Sequence, residues 1–290
     1  MVAMNVNIET GSASSRSYNI LDEATELLAG MYGRELESIS VKRLIIGVFC
    51  TGVKLSNGHG GIAYTPPESV FRAGTRILKD PKPLIRGMGA GELIAGGTGG
   101  PFSDVVRLAT LNALSVPFLM DRGDAAGAVD DITDYPQCFV DKKICMAGPI
   151  IPTLKRLQER GIRNVTIIGS KEAAKEESNF GNYVAPEKAP EALAACDTAV
   201  FPGASIADGT IEHLIRCTSR NATLIVVGPT AGFIPDPLFR RRVAIIGTVT
   251  VTDSDLALDL LSEGATAQQL FKRCLRKIMV IHPEKASELS

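Results

Sequence analysis

The 290-residue chain has no tryptophan, only 5% aromatic residues and three histidines. Binding of bases or sugars by stacking relies on aromatic faces, and this composition offers few. A basic face is missing as well: 31 basic and 32 acidic side chains leave a formal net charge of -1. The densest basic run, Arg240-Arg241-Arg242, reads as decoration on the turn before a strand. Phosphate-backbone binding needs far more clustered positive charge, so no nucleic-acid partner is expected. No apolar run approaches the ~20 residues that span a bilayer, and no membrane partner is expected. The first residues, rich in Asn, Ser and Thr, lack the charged start and apolar centre of a secretory signal.

Catalytic and metal-binding spacings are equally scarce. The six cysteines contain no CxxC pair, the two nearest being Cys138 and Cys145. Most sit in apolar patterns, where free cysteine behaves as a small hydrophobe, and a reducing cytoplasm is the expected location. H-E-x-x-H, G-x-S-x-G and EF-hand patterns are absent. The glycine-rich stretch Gly87–Gly100 suggests a phosphate loop, but no lysine follows it as a Walker loop requires. Gly87 and Gly89 begin a dinucleotide fingerprint that fails where Glu92 replaces its third glycine. That stretch therefore reads first as a turn-rich surface loop and second as a ligand cradle.

What is present is a core: 45% hydrophobic residues with 22% charged ones exclude wholesale disorder. Apolar residues at helical spacing from Tyr18 to Tyr32 predict a helix. Val41–Cys50, Val53–Leu55 and Gly61–Tyr64 predict a small antiparallel meander with Asn57-Gly58 at a turn. Ser103 caps a predicted helix over Asp104–Ser115. After Asp141 the pattern alternates between short apolar strands and amphipathic helices, the signature of a mostly parallel sheet covered on both faces. The expected organisation is an α+β domain over residues 1–125 and a Rossmann-like α/β domain over 126–290.

Open α/β sheets bind ligands at the carboxyl ends of their strands. Four turns fall there: Gly148-Pro149, Gly169-Ser170, Pro202-Gly203-Ala204-Ser205 with Asp208, and Gly228-Pro229-Thr230. Asp208 is expected to open the helix carrying His213 and Cys217. His213 and Cys217 are four residues apart on one helix face, among Ile211, Leu214 and Ile215, which favours a structural role for the pair. His59, within Gly58-His59-Gly60-Gly61, is free to face a cleft and is the candidate metal ligand. Aspartates 121, 124, 130, 131 and 134 supply further oxygens near the expected domain boundary. Glu172, beyond the second strand of the alternating half, stands where a ribose-binding carboxylate would.

Taken in order, these features resemble a two-domain family described as heavy-metal chelation proteins. The most specific stretch is TAVFPGASIADGTIEHLIRCTSRNATLIVVGPTAGFIPDPLF, Thr198 to Phe239. RLIIGVFCTGVKLSNGHGGIAYT, Arg43 to Thr65, looks like the family's meander, and DVVRLATLNALS, Asp104 to Ser115, like its companion helix. The resemblance implies an enolase-N-terminal-like domain followed by a Rossmann-like one, with the site in the cleft between them. Thr51, Asn57, Asn112, Gly148, Asp208, Gly228, Pro229 and Thr230 match its recurrent turns and are candidate ligand-binding residues. The Gly87–Gly100 loop falls outside that pattern.

The expected function is binding of a divalent metal ion, or of a small metal-chelating molecule, between the domains. The alternative is an enzyme using NAD(P) or S-adenosylmethionine on the Rossmann-like half, although Gly148-Pro149 lacks the glycines that pyrophosphate needs. A homo-oligomer stays open.

Overall fold

A computed structural model describes residues 19–76, 85–96, 98–121, 131–170 and 180–289. Asn19 begins the first helix, α1 (Ile20–Tyr32), accepting from the amides of Leu21 and Asp22 while Asp22 returns a bond to the Asn19 amide. That reciprocal cap satisfies donors the first helical turn would otherwise leave open. Three strands follow as an antiparallel meander: β1 (Val41–Ile46), β2 (Cys50–Leu55) and β3 (Gly60–Tyr64). Gly58 adopts φ +90° in the β2–β3 turn, a conformation that costs glycine nothing. The helices α2 (Pro67–Arg76), α3 (Ala90–Ile94) and α4 (Ser103–Asp121) complete this part. It is the meander-then-helices order that the family resemblance implies.

Strand alternation divides the meander between two partners. Thr51, Val53 and Leu55 share a face with Gly61 and Ala63, and that face rests on α4. The opposite face carries Cys50, Gly52 and Ile62. α4 is buried almost all round from Val105 to Ser115 and runs through Pro117 to Asp121, beyond the expected stop. Where it is described, the glycine-rich stretch is part surface turn, with Gly87, Gly99 and Gly100 exposed, and part packed structure. Val41 and Met88, and Ala90 and Ile39, pair through their backbones, and α3 then buries Ala90, Leu93 and Ile94 in the core.

The second sheet has seven strands in the order β10-β9-β8-β7-β4-β5-β6. They are β4 (Ile144–Ala147), β5 (Val165–Ile168), β6 (Asn182–Val184), β7 (Thr198–Pro202), β8 (Thr223–Val227), β9 (Val243–Val251) and β10 (Leu275–Ile281). All neighbours are parallel except the β9–β10 edge pair. Alternate residues serve two cores, which is why the strands read as continuous apolar runs. Cys145, Ala199, Phe201, Leu224 and Val226 face one; Ile144, Met146, Val200 and Ile225 face the other. Among the described residues, the helices of this half are α5 (Ile151–Glu159), α6 (Ala189–Ala194), α7 (Ala204–Ala207), α8 (Ile211–Cys217), α9 (Asp236–Phe239), α10 (Ser254–Ser262), α11 (Ala267–Phe271) and α12 (Ala286–Leu289).

The architecture is therefore mixed α/β, with a mostly parallel seven-stranded sheet and a small antiparallel one. No described helix is long and apolar enough to cross a membrane. The two sheets interlock. β9 leaves the ladder with β8 at Gly247 and continues to Val251 beside β10 alone. That extension puts Val249 in one core cluster with Cys50, Ile62, Leu258 and Leu261, so α10 packs on the free face of the meander. The expected boundary near residue 125 lies outside the described residues.

Candidate functional site

The order in which strands are added reverses between β4 and β7. β4, β5 and β6 progress toward one edge of the sheet, and β7, β8 and β9 toward the other. A reversal of this kind leaves a crevice at the carboxyl ends of the two central strands, because their following loops depart to opposite sides. Here those loops are the Gly148 and Gly203 turns. Backbone bonds tie the strand ends together: Gly148 to Ile168 at 2.8 Å, Gly203 to Val227 at 2.7 Å and Gly228 to Gly247 at 2.8 Å.

The turns differ in openness. A β-carbon on Gly203 would meet the Thr230 β-carbon at 3.2 Å and the Gly228 oxygen at 3.4 Å, so these two turns close against each other. Gly148, with φ +85°, has nothing within 4 Å on that side. The accessible part of the crevice is therefore the β4 turn.

The meander is fastened over the β8 end of this edge. Asn112 on α4 donates through Nδ2 to the Ile62 carbonyl at 2.7 Å, and reaches the Pro229 and Thr230 carbonyls at 3.2 and 3.3 Å. The Tyr64 amide donates to Thr230 Oγ1 at 3.0 Å, and the Ile234 amide to Ser115 Oγ at 2.9 Å. Asn112, Gly228, Pro229 and Thr230 thus come together as one junction. Thr51 belongs to the packed side of the meander, fully buried, with its hydroxyl bonded to that of Thr65 at 2.9 Å.

Asp208 lies where α7 ends, not at a helix start. Gly209 takes φ +76° and separates α7 from α8, so the helix carrying His213 and Cys217 starts at Ile211 and not at Asp208. Asp208 Oδ1 accepts from the Thr210 amide at 3.0 Å and from its hydroxyl at 2.6 Å. The residue is exposed, yet surrounding protein desolvates its carboxyl and raises its pKa against the opposing pull of the Thr210 bonds. Tyr64 was not legible as a site residue. Its phenol pKa is pushed upward by burial first and then by the negative charge of Asp208.

Asn57 and His59 stand elsewhere. Asn57 Oδ1 accepts from the His59 amide at 3.2 Å in the β2–β3 turn, at the opposite end of β3 from Tyr64. Extended chain rises about 3.3 Å per residue, so the six residues from His59 to Thr65 span roughly 20 Å. Burial lowers the pKa of His59, leaving a neutral ring as a ligand would need, but no donor cluster surrounds it. Among the described residues, no three His, Cys, Asp or Glu side chains gather as a metal site would. Asp131 and Asp134 are occupied by Arg156 and Arg160. Asp124, Asp130 and Glu172 lie outside the described residues. The residues present do not fit a bare heavy-metal ion in the crevice. The strand-end turns offer hydroxyls, one carboxylate and glycine backbone, which suit a polar organic molecule.

None of the curated proteins matches the chain in sequence. Among solved structures, a protein of unknown function from Pyrococcus horikoshii is 17% identical, with a TM-score of 0.68 over 90% of this chain and 99% of its own. Another, from Desulfitobacterium hafniense DCB-2, is 18% identical, with a TM-score of 0.62 over 88% and 98%. At such identities the likeness establishes the fold. Two family models, both described as "Putative heavy-metal chelation", match residues 31–115 and 131–280. The second alone spans more than half of the chain, and the protein belongs to this chelation family.

Proposed function

We propose that the crevice beside Gly148 binds a small polar molecule that carries a metal ion within its own ligands. The observation behind this reading is the open Gly148 turn at a strand-end switch point, in a family described as "Putative heavy-metal chelation" whose described residues here gather no three-donor metal cluster. The ion would then arrive already coordinated, and the protein would recognise the organic shell. Tyr64 and Asp208 are the groups assigned here to donate to and accept from that shell. A nucleotide cofactor is not favoured: the β4 turn has one glycine, and Pro149 and Pro152 remove amides from the region where pyrophosphate would dock. We also propose a cytoplasmic setting, supported by six free cysteines of which five are buried as unpaired thiols.

Calorimetric titration of the purified chain with ferric citrate, nickel–histidine, the metal-free chelators and the bare ions tests the proposal. Saturable binding is expected for a metal complex and weaker binding for its free ion. Asp208→Asn keeps the Thr210 cap and Tyr64→Phe keeps the ring, so both should lose affinity without losing thermal stability. Equal binding of complex and bare ion, or unchanged affinity in both variants, would overturn it.

A further inference from the structure

The crevice leaves one donor pair unused. α8 turns Ile211, Leu214 and Ile215 into the core, while His213 is exposed and Cys217 half-buried on its outer flank. Cys217 packs against the core as the structural reading expects, whereas His213 stands exposed. The Cys217 Sγ and His213 Nε2 atoms are 3.6 Å apart, close enough for a thiol–imidazole hydrogen bond. The other five cysteines are buried, so Cys217 alone presents its sulfur toward solvent.

We infer that His213 and Cys217 form a two-donor chelate for a zinc-type divalent cation, separate from the crevice and independent of the function proposed for it. The separation of the donors carries the argument. Zinc binds sulfur at about 2.3 Å and imidazole nitrogen at about 2.1 Å with tetrahedral angles, which requires a sulfur–nitrogen distance of about 3.6 Å. A linear two-coordinate ion with the same bond lengths would need about 4.4 Å and would force the helix side chains apart. The pair therefore already has the bite of a tetrahedral ion before any ion arrives.

The exchange is balanced. The thiol proton held between sulfur and Nε2 leaves to solvent, and the cation takes its place, bonded to thiolate and to the neutral imidazole. Glu212 on the same helix is held by Arg241 at 2.9 Å and does not complete the set. Water fills the two remaining positions, so the site is a shallow, exchangeable one. Thiolate with imidazole selects zinc and its softer neighbours over magnesium or calcium, which prefer oxygen.

Cobalt(II), as a spectroscopic stand-in for zinc, provides the test on the full reduced chain. One equivalent should produce a thiolate-to-cobalt charge-transfer absorption with the intense visible bands of tetrahedral cobalt, and added zinc should remove both. Cys217→Ser should abolish the charge-transfer absorption. His213→Gln, at an exposed position, should keep the melting temperature and lose the tetrahedral bands. Zinc should also protect Cys217 from alkylation, read by peptide mass. No charge-transfer absorption in the parent protein, or one that survives Cys217→Ser, would overturn the inference. Because the crevice contains no exposed thiol, neither result bears on chelate binding there.

Discussion

Asn112 is the most consequential single side chain in the junction between meander and strand ends. Its Nδ2 serves carbonyls from β3 and from the Pro229–Thr230 turn, while its Oδ1 is buried without a hydrogen-bond partner. Removing a buried donor leaves its acceptors unsatisfied, at about 1–3 kcal/mol each. Asn112→Ala should therefore lower unfolding free energy by about 2–4 kcal/mol in urea titration. Asn112→Asp should be worse at neutral pH, because a carboxylate would face three carbonyl oxygens. Burial and those oxygens would raise its folded pKa above the unfolded value of about 3.9. The unfolded state then releases its proton first, so the variant's deficit grows as pH rises above that value. A deficit independent of pH between 4 and 8 would contradict this account.

Glu23 gives a second case, and corrects the reading of Arg240-Arg241-Arg242 as surface decoration. Its carboxylate, 8% exposed, receives Arg240 and Arg241, each at 2.6 Å, and Arg242 bonds the Ser219 and Arg220 carbonyls. Arg240 is 61% exposed and can return to water, whereas Glu23 cannot. Glu23→Ala should thus destabilise more than Arg240→Ala, by about 1–3 kcal/mol against less than about 1. Equal losses in paired denaturation curves would show that the pair, not the buried carboxylate, sets the energy.

At the scale of elements, glycine decides how closely helix and strand approach. A β-carbon on Gly61 would overlap the Ala109 carbonyl oxygen and the Ala113 amide nitrogen, both backbone atoms that cannot turn aside. Gly61→Ala should push α4 from β3 and cost several kcal/mol, more than the roughly 1–3 kcal/mol of ordinary overpacking. Gly30, in α1, has nothing within 4 Å at the same position, so Gly30→Ala should stabilise by about 0.5–1 kcal/mol. Melting temperatures of the two variants should move in opposite directions. The sequence marks neither difference, because close approach depends on which helix crosses which strand.

Much of the element order was legible for a physical reason. Val243–Val251 is a run of apolar and threonine residues whose every position but the last is buried, so composition alone marks the strand. The meander showed through its alternation and Asn57-Gly58 turn. β6 did not, because its three residues Asn182-Tyr183-Val184 are partly exposed at a sheet edge and carry no apolar run. The short α7 and the later start of α8 at Ile211 were hidden because Ala204-Ser205 reads as a small-residue turn and Asp208 as a helix cap. For the site, strand-end turns were visible as glycine clusters, and Asn112, Gly228, Pro229 and Thr230 do converge. Tyr64 was invisible, since its role comes from a tertiary contact with Thr230 and the charge of Asp208.

The whole molecule poses the question of whether its two sheets are separable. A boundary near residue 125 assigns the meander to one unit and α10 to the other, yet side chains interleave across that line. Gly52 lacks the side chain that would strike Leu258 and Leu261, and Gly60 leaves room for Val251 and Ser254. Lys54 pairs with Asp255, and Arg43 with Asp255 at 3.4 Å and Asp259 at 2.8 Å, but these exposed pairs add little. The apolar contact is what couples the units. We therefore propose two domains in architecture that fold as one cooperative body. Hydrogen exchange across a urea series should show β2–β3 and β9–β10 losing protection at the same concentration. A fragment of residues 1–125 should be unstable alone, because Cys50 and Ile62 would be exposed where Leu258 and Leu261 now cover them. Leu258→Ala and Leu261→Ala should each lower that shared midpoint, by about 2–5 kcal/mol in stability, without splitting the transition. Two separate midpoints in the parent protein, or a folded 1–125 fragment, would mean that the interface is docked after folding and not part of its core.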